Sequence, residues 1–151
     1  VRLRVVVIGV GNPWRRDDGV GWAVAEGARR RLSSEVAVVE SDGEASRLLD
    51  VWADRDLAVV VDAVRSGAAP GTIHVWGGDV EMARTAPTVG THALGLAEAI
   101  ALGRALERLP ARLVVVGVEA SETDSGHGLS PAVAGAVDEV IDVIEREVVV
   151  R

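Results

Sequence analysis

The stretch "GVGNPWRRDDGVG", residues 9–21, follows directly on the β-branched run that closes at Ile8. A strand, a glycine-rich turn and the start of a helix are how an α/β unit opens, and such a turn ordinarily cradles a phosphate. This one does not suit that ligand. A dinucleotide fingerprint needs glycine at its first, third and sixth positions. Gly9 and Gly11 fit, but the sixth residue is Trp14. A phosphate-loop lysine is excluded in a chain whose 16 basic residues are all arginine. Asp17 and Asp18 would face a pyrophosphate with like charge at the helix start, where anions are otherwise attracted. The turn therefore calls for a different partner, and its carboxylates suit a cation.

Outward from this turn, strands and helices alternate. Arg2–Ile8 reads as the first strand. A helix is expected from Asp18 to Leu32, with Val20, Ala23, Val24, Gly27 and Ala28 on one face. Its acidic start and its Arg29–Arg31 end suit the helix dipole. Val36–Glu40 reads as a second strand, Ser41-Asp42-Gly43 as a turn and Glu44–Val51 as a short helix. Leu57–Val61 is a continuous apolar run, as in a strand buried on both faces. Ser66–Gly71 reads as a loop and Thr72–Trp76 as a fourth strand, antiparallel because its connection is short. Gly77–Gly90 reads as a long irregular loop, a candidate for mobility. A helix is expected over Thr91–Leu109, stopped by Pro110, then a strand over Leu113–Val118. After the polar loop Glu119–Leu129, Ser130-Pro131 marks the start of a last helix. Its apolar face is Val133, Ala136, Val137, Val140, Ile141 and Ile144. The order predicts a single α/β domain over residues 1–151: a three-layer sandwich whose five-stranded, mostly parallel sheet has one antiparallel strand and helices on both faces.

Composition bounds the function. At 151 residues and 48% apolar, the chain can bury a core as one domain. Its net charge of −7 argues against a nucleic-acid partner. With no cysteine it has no disulfide, thiolate metal site or cysteine nucleophile. No apolar run approaches the ~20 residues of a membrane span, so no membrane insertion is expected. No secretion signal is visible, and a cytoplasmic location is the expectation. The residues fix no oligomeric state. The only asparagine of the chain, Asn12, lies in the opening turn.

In open α/β sheets, sites form beyond the carboxyl ends of the strands. Three ionisable residues are expected at that edge: Asp18 after the first strand, Asp62 at the end of the third in "VVVDAVRSG", and His92 at the start of a helix in "TVGTHALGLAEAI". Two carboxylates and an imidazole suit a borderline divalent cation and leave coordination positions open. The helix dipole favours the neutral, ligating form of His92. Each residue also has a plainer reading: Asp18 as a helix cap, Asp62 as a turn former, His92 as a surface side chain. Their shared edge favours the site. His74, mid-strand, reads as structural, and His127 as a loop residue that could approach the same edge.

Taken together, these segments resemble the hydrogenase maturation endopeptidases along nearly the whole chain. "VIGVGNPWRRDDGVG" is similar to the family's opening strand and its G-x-G-N-x-x-x-x-D-[DE]-[GA]-x-G turn. "SDGEASRLL", "VVVDAVRSGAAPGTIHV", "THALGLAEAI" and "VVVGVEA…GLSPAV" resemble its later segments in the same order. The resemblance implies removal of a short C-terminal peptide from the large-subunit precursor of a nickel–iron hydrogenase, after nickel insertion. It implies that Asp18, Asp62 and His92 contact nickel carried by the precursor and form the catalytic set. Asn12, Trp14 and Gly43 would then lie on the substrate side. Asp18 stands where some members have glutamate, and Trp14 where many have an aliphatic residue. The nickel would arrive with the substrate, leaving the resting protein metal-free. The competing expectation is a checkpoint or chaperone that binds the loaded precursor without cutting it. A small-molecule hydrolase built on the same fold edge is a third.

Overall fold

The computed structural model describes residues 3–77 and 92–149, with the backbone alone at 92–94. Its strands are β1 (Val5–Val10), β2 (Ala37–Ser41), β3 (Leu57–Val64), β4 (Ile73–Gly77) and β5 (Arg112–Glu119). Its helices are α1 (Val20–Arg31), α2 (Ala45–Trp52), α3 (His92–Ala105), the single turn α4 (Pro131–Ala134) and α5 (Val137–Val149). The strands form one sheet in the order β2-β1-β3-β5-β4. All neighbouring pairs are parallel except β4 with β5, which is antiparallel. This is the sandwich the sequence predicts.

Side-chain alternation divides the core. Val5, Val7, Val59, Val61, Val114 and Val116 face one layer, made by Val20 and Val24 of α1 and Val140, Ile141 and Ile144 of α5. Val6, Ile8, Ala58, Val60 and Val115 face the other, made by Leu48, Leu49 and Trp52 of α2 with Leu96, Ala99 and Ile100 of α3. All eight residues of β3, the middle strand, are buried, so a run without polar alternation is what its position demands. The edge strand β2 is half-buried throughout. The 65–72 connection is too short for a crossover, and β4 returns antiparallel beside β5.

Several boundaries differ from the sequence reading, for tertiary reasons. The first helix begins at Val20; Arg16–Gly19 forms a 3-10 turn that turns Asp17 and Asp18 inward. Strand β3 continues through Val64, because β5 pairs with it as far as Glu119, so Asp62 lies within the strand. Helix α3 ends at Ala105, and Gly103 is packed against the returning Leu109. The last helix is broken at Gly135-Ala136, while the expected face still packs inward. Most of the expected loop Gly77–Gly90, from residue 78 onward, lies outside the described residues.

Candidate active site

The glycines of the opening turn serve close backbone packing. A Cβ at Gly9 would overlap the carbonyl oxygen of Gly21, and one at Gly11 would overlap that of Asp18. A Cβ on Gly21 would in turn stand 2.7 Å from the carbonyl oxygen of Val61. The start of α1 is thus pressed onto the ends of β1 and β3. Asn12 fixes the turn itself: its Oδ1 accepts the Trp14 amide at 2.9 Å, and its own amide donates to the Asp18 carbonyl at 3.2 Å.

The two adjacent aspartates differ in their surroundings. Asp17 is fully buried, and its carboxylate accepts the amides of Ser121, Glu122 and Ser130 and the Ser130 hydroxyl, at 2.7–2.8 Å. Burial alone would raise its pKa, but the donors from Glu122, Ser130 and Ser121 outweigh it and hold the carboxyl below its ordinary range. Asp17 therefore ties the 121–130 segment to the opening turn. Backbone bonds continue the zipper: Asp17 to Glu122, Arg16 to Gly126, and Gly126 back to Trp14. They also hold Arg16 at φ 51°, a left-handed conformation that costs a non-glycine residue about 1 kcal/mol or more. Ser130 stands at the N-cap position of α4, as expected, but its hydroxyl serves Asp17 instead of the helix.

Asp18, 1% exposed, also lines a cavity of about 330 Å³ with Gly11, Asn12, Trp14, Trp22 and Asp42. Asp62 is fully buried in β3, and its Oδ1 accepts the Ala63 amide at 2.8 Å. The turn that carries Asp18 packs against β3. By the sheet's alternation, Asp62 shares the face of Ala58 and Val60, the face covered by α2 and α3. The first residue of α3 is His92. Three residues on, Gly95 lies so close to Gly43 that a Cβ there would overlap the Gly43 carbonyl oxygen. Gly43 itself sits at φ 87° in the turn after β2, and the Gly11 amide donates to the Ser41 carbonyl at 3.0 Å. The sequence elements carrying Asp18, Asp62 and His92 thus meet at the carboxyl ends of β1, β2 and β3. The His92 side chain lies outside the described residues. Among the described residues no three His, Asp or Glu side chains form a metal cage.

Two features escaped the sequence reading. One is the Asp17 clamp. The other is Glu119, which closes β5 almost fully buried and accepts the Ser66 amide and hydroxyl, both at 2.7 Å, and the Gly67 amide at 3.2 Å. His74 Nε2 lies 3.0 Å from its Oε1, which gives His74 the structural role expected of it. Burial pushes the Glu119 pKa up, but these partners, Ser66 foremost, bring it below its ordinary range. The signal was available. An acidic residue ending the apolar run "VVVGVE" is as conspicuous as the aspartate in "VVVDAV".

Trp14 is exposed, 68% of its surface reaching solvent, and its ring tilts against that of His127 with centroids 5.0 Å apart. His127 therefore does approach the opening turn, as an aromatic neighbour of Trp14.

The sequence profile described as hydrogenase maturation protease matches residues 23–147. The chain belongs to the hydrogenase maturation protease family. It is 28% identical over 145 residues to the hydrogenase 2 maturation protease of Escherichia coli K12, covering 94% of this chain and 88% of that one. It is 30% identical over 148 residues to the hydrogenase expression/formation protein HupD of Rhodobacter capsulatus, covering 95% and 70%. The solved structure of the hydrogenase maturating endopeptidase HybD from E. coli superposes with a TM-score of 0.84 at 27% identity, covering 94% of this chain and 90% of that one. Membership makes this maturation protease a hydrolase of peptide bonds, and its α/β sandwich is the fold of those relatives. Among the described residues no helix is long and apolar enough to cross a membrane.

Proposed function

We propose that this protease removes the C-terminal extension of a nickel–iron hydrogenase large-subunit precursor once nickel has been inserted, and that Asp18, Asp62 and His92 receive the nickel-bearing end of that substrate. The observation that carries the reading is the pair of buried carboxylates: Asp18 and Asp62 stand at 1% and 0% exposure where a glycine-packed turn meets the middle strand. Burying two acidic groups in one region is costly unless hydrogen bonds or a cation compensate. Asp62 already accepts the Ala63 amide, and a divalent cation arriving with the substrate supplies positive charge that this acidic region attracts. Oxygen and imidazole donors suit nickel, which as cargo also brings a Lewis acid to the scissile carbonyl.

The hydrolysis then needs little else from the chain. A carboxylate at this edge accepts a proton from the attacking water as its oxygen bonds to the carbonyl carbon. The C–N bond breaks and the proton passes to the leaving amine, so the carboxylate is regenerated. No cysteine nucleophile exists in the chain, and no serine-nucleophile or zinc-peptidase motif accompanies the site. The resting protein carries no metal of its own, and the reaction takes place in the cytoplasm, where the precursor is loaded.

Purified protein incubated with nickel-loaded and nickel-free precursor tests the reading, with the precursor's C-terminus read by mass spectrometry. Loss of the extension from the loaded form alone is expected. Stable binding without cutting would replace the proposal with the non-cleaving checkpoint.

A further inference from the structure

The cavity at Asp18 has a neighbour. A second cavity, about 400 Å³, lies along α1 on the far side of a ridge made by Pro13 and Trp22, and both residues line both cavities. Its walls are largely apolar: Pro13, Trp22, Ala23 and Leu129, with His127 and Arg16 at the side of the 121–130 segment. The ridge is rigid. The Trp22 indole donates to the Ser41 carbonyl at 3.1 Å, and Pro13 sits inside the turn that Asn12 fixes. At the far end the Arg29 guanidinium is paired with the Glu40 carboxylate, and Glu26, also in the lining, is exposed and 3.8 Å from Arg30. The Trp14–His127 ring pair also spans the two cavities, with Trp14 lining the first and His127 the second.

We propose that this second cavity is a substrate subsite, and that it seats an apolar side chain of the precursor polypeptide next to the bond that is cut. The inference rests on the peptidase reading above. A peptidase must hold an extended chain through its site, and the second cavity adjoins the Asp18 cavity across the Pro13–Trp22 ridge that lines both. From Trp22 to Arg29 the α1 wall runs about 10 Å at 1.5 Å per residue, room for about three extended residues. With Arg29 and Glu40 paired to each other, the wall of Pro13, Trp22, Ala23 and Leu129 offers its apolar surface to an apolar side chain. A subsite of this kind supplies binding that is equal in the ground and transition states, so its loss raises KM and leaves kcat. Trp14 and His127 would then close over the bound backbone.

The test uses the loaded precursor and a synthetic peptide spanning its cleavage junction. Ala23→Leu fills the second cavity from the half-buried face of α1, and His127→Ala removes half of the ring pair from an exposed loop. Ala101→Leu, on the exposed face of α3, is the control. The two site variants are expected to raise KM for the precursor, and the Kd of the peptide, about tenfold. Their kcat stays within about twofold of wild type, and the control changes neither constant. Unchanged KM and Kd in both site variants, with the precursor still cut, overturns the subsite and leaves the peptidase reading standing. Failure of the wild-type protein to cut the loaded precursor overturns both.

Discussion

Asp17 holds Ser130 by two bonds at once, the amide at 2.7 Å and the hydroxyl at 2.8 Å, across 113 residues of chain. Asp18, one residue on, lines the cavity at the strand ends. On the proposed reading the adjacent carboxylates separate scaffold from chemistry, and substitutions at the two should separate stability from rate.

Asp17→Ala leaves three amides and a hydroxyl without their acceptor. The four donors are part-buried, so water replaces some of the lost bonds, and a loss of about 3 kcal/mol is expected. For a chain of this size that lowers Tm by about 6–12 °C, measurable by circular dichroism. An unchanged Tm would contradict the clamp.

Asp18→Asn and Asp62→Asn keep the shape and remove the charge. Each is expected to lower kcat on the loaded precursor by about a hundredfold or more, the range for loss of a proton-transferring group. Neither should reduce Tm as Asp17→Ala does. Near-normal turnover in both variants would remove these carboxylates from the reaction.

Glu119 predicts a pH dependence. Its folded-state pKa lies below its ordinary value of 4.5. Its contribution is therefore fully present above that ordinary value and is lost as pH falls through the depressed folded-state pKa. Glu119→Gln should be less stable than wild type at pH 7, and the gap should close as the solution is acidified below the ordinary value. Urea midpoints across that range check this; a constant gap would show that the carboxylate charge is not what holds Ser66 and His74.

Gly9→Ala tests the strand–helix contact. The added methyl would overlap the Gly21 carbonyl oxygen, with no flexible side chain able to yield. A loss of about 3 kcal/mol or more is expected, at the upper end for overpacking, seen as insoluble protein or a collapsed Tm. A soluble variant of wild-type Tm would mean that the backbones can part.

The sheet was legible because burial on two faces leaves a plain mark: β3 has no polar residue until Asp62, a residue of the candidate site. The turn was legible as a non-phosphate turn because Trp14 and the aspartates contradict that ligand directly. What local pattern could not assign was which of the two adjacent aspartates clamps the 121–130 segment. That depends on the 121–130 segment, more than a hundred residues away, bringing its amides to Asp17. The end of β3 was hidden for the same reason. Pairing with β5 carries it three residues past its apolar run, and Glu119 at the matching end is paid for by Ser66 and His74. Helix dipole reasoning placed both acids at the start of α1. The 3-10 turn shows tertiary hydrogen bonds prevailing over that weaker local preference.

The central claim is that a nickel-bearing precursor is cut at this edge. The most direct measurement is the intact mass of the large-subunit precursor after incubation with the protease, nickel-loaded and nickel-free in parallel. The account predicts that the loaded precursor loses the mass of its C-terminal extension while the nickel-free one keeps it. A loaded precursor that stays whole, or equal cutting with and without nickel, would contradict it.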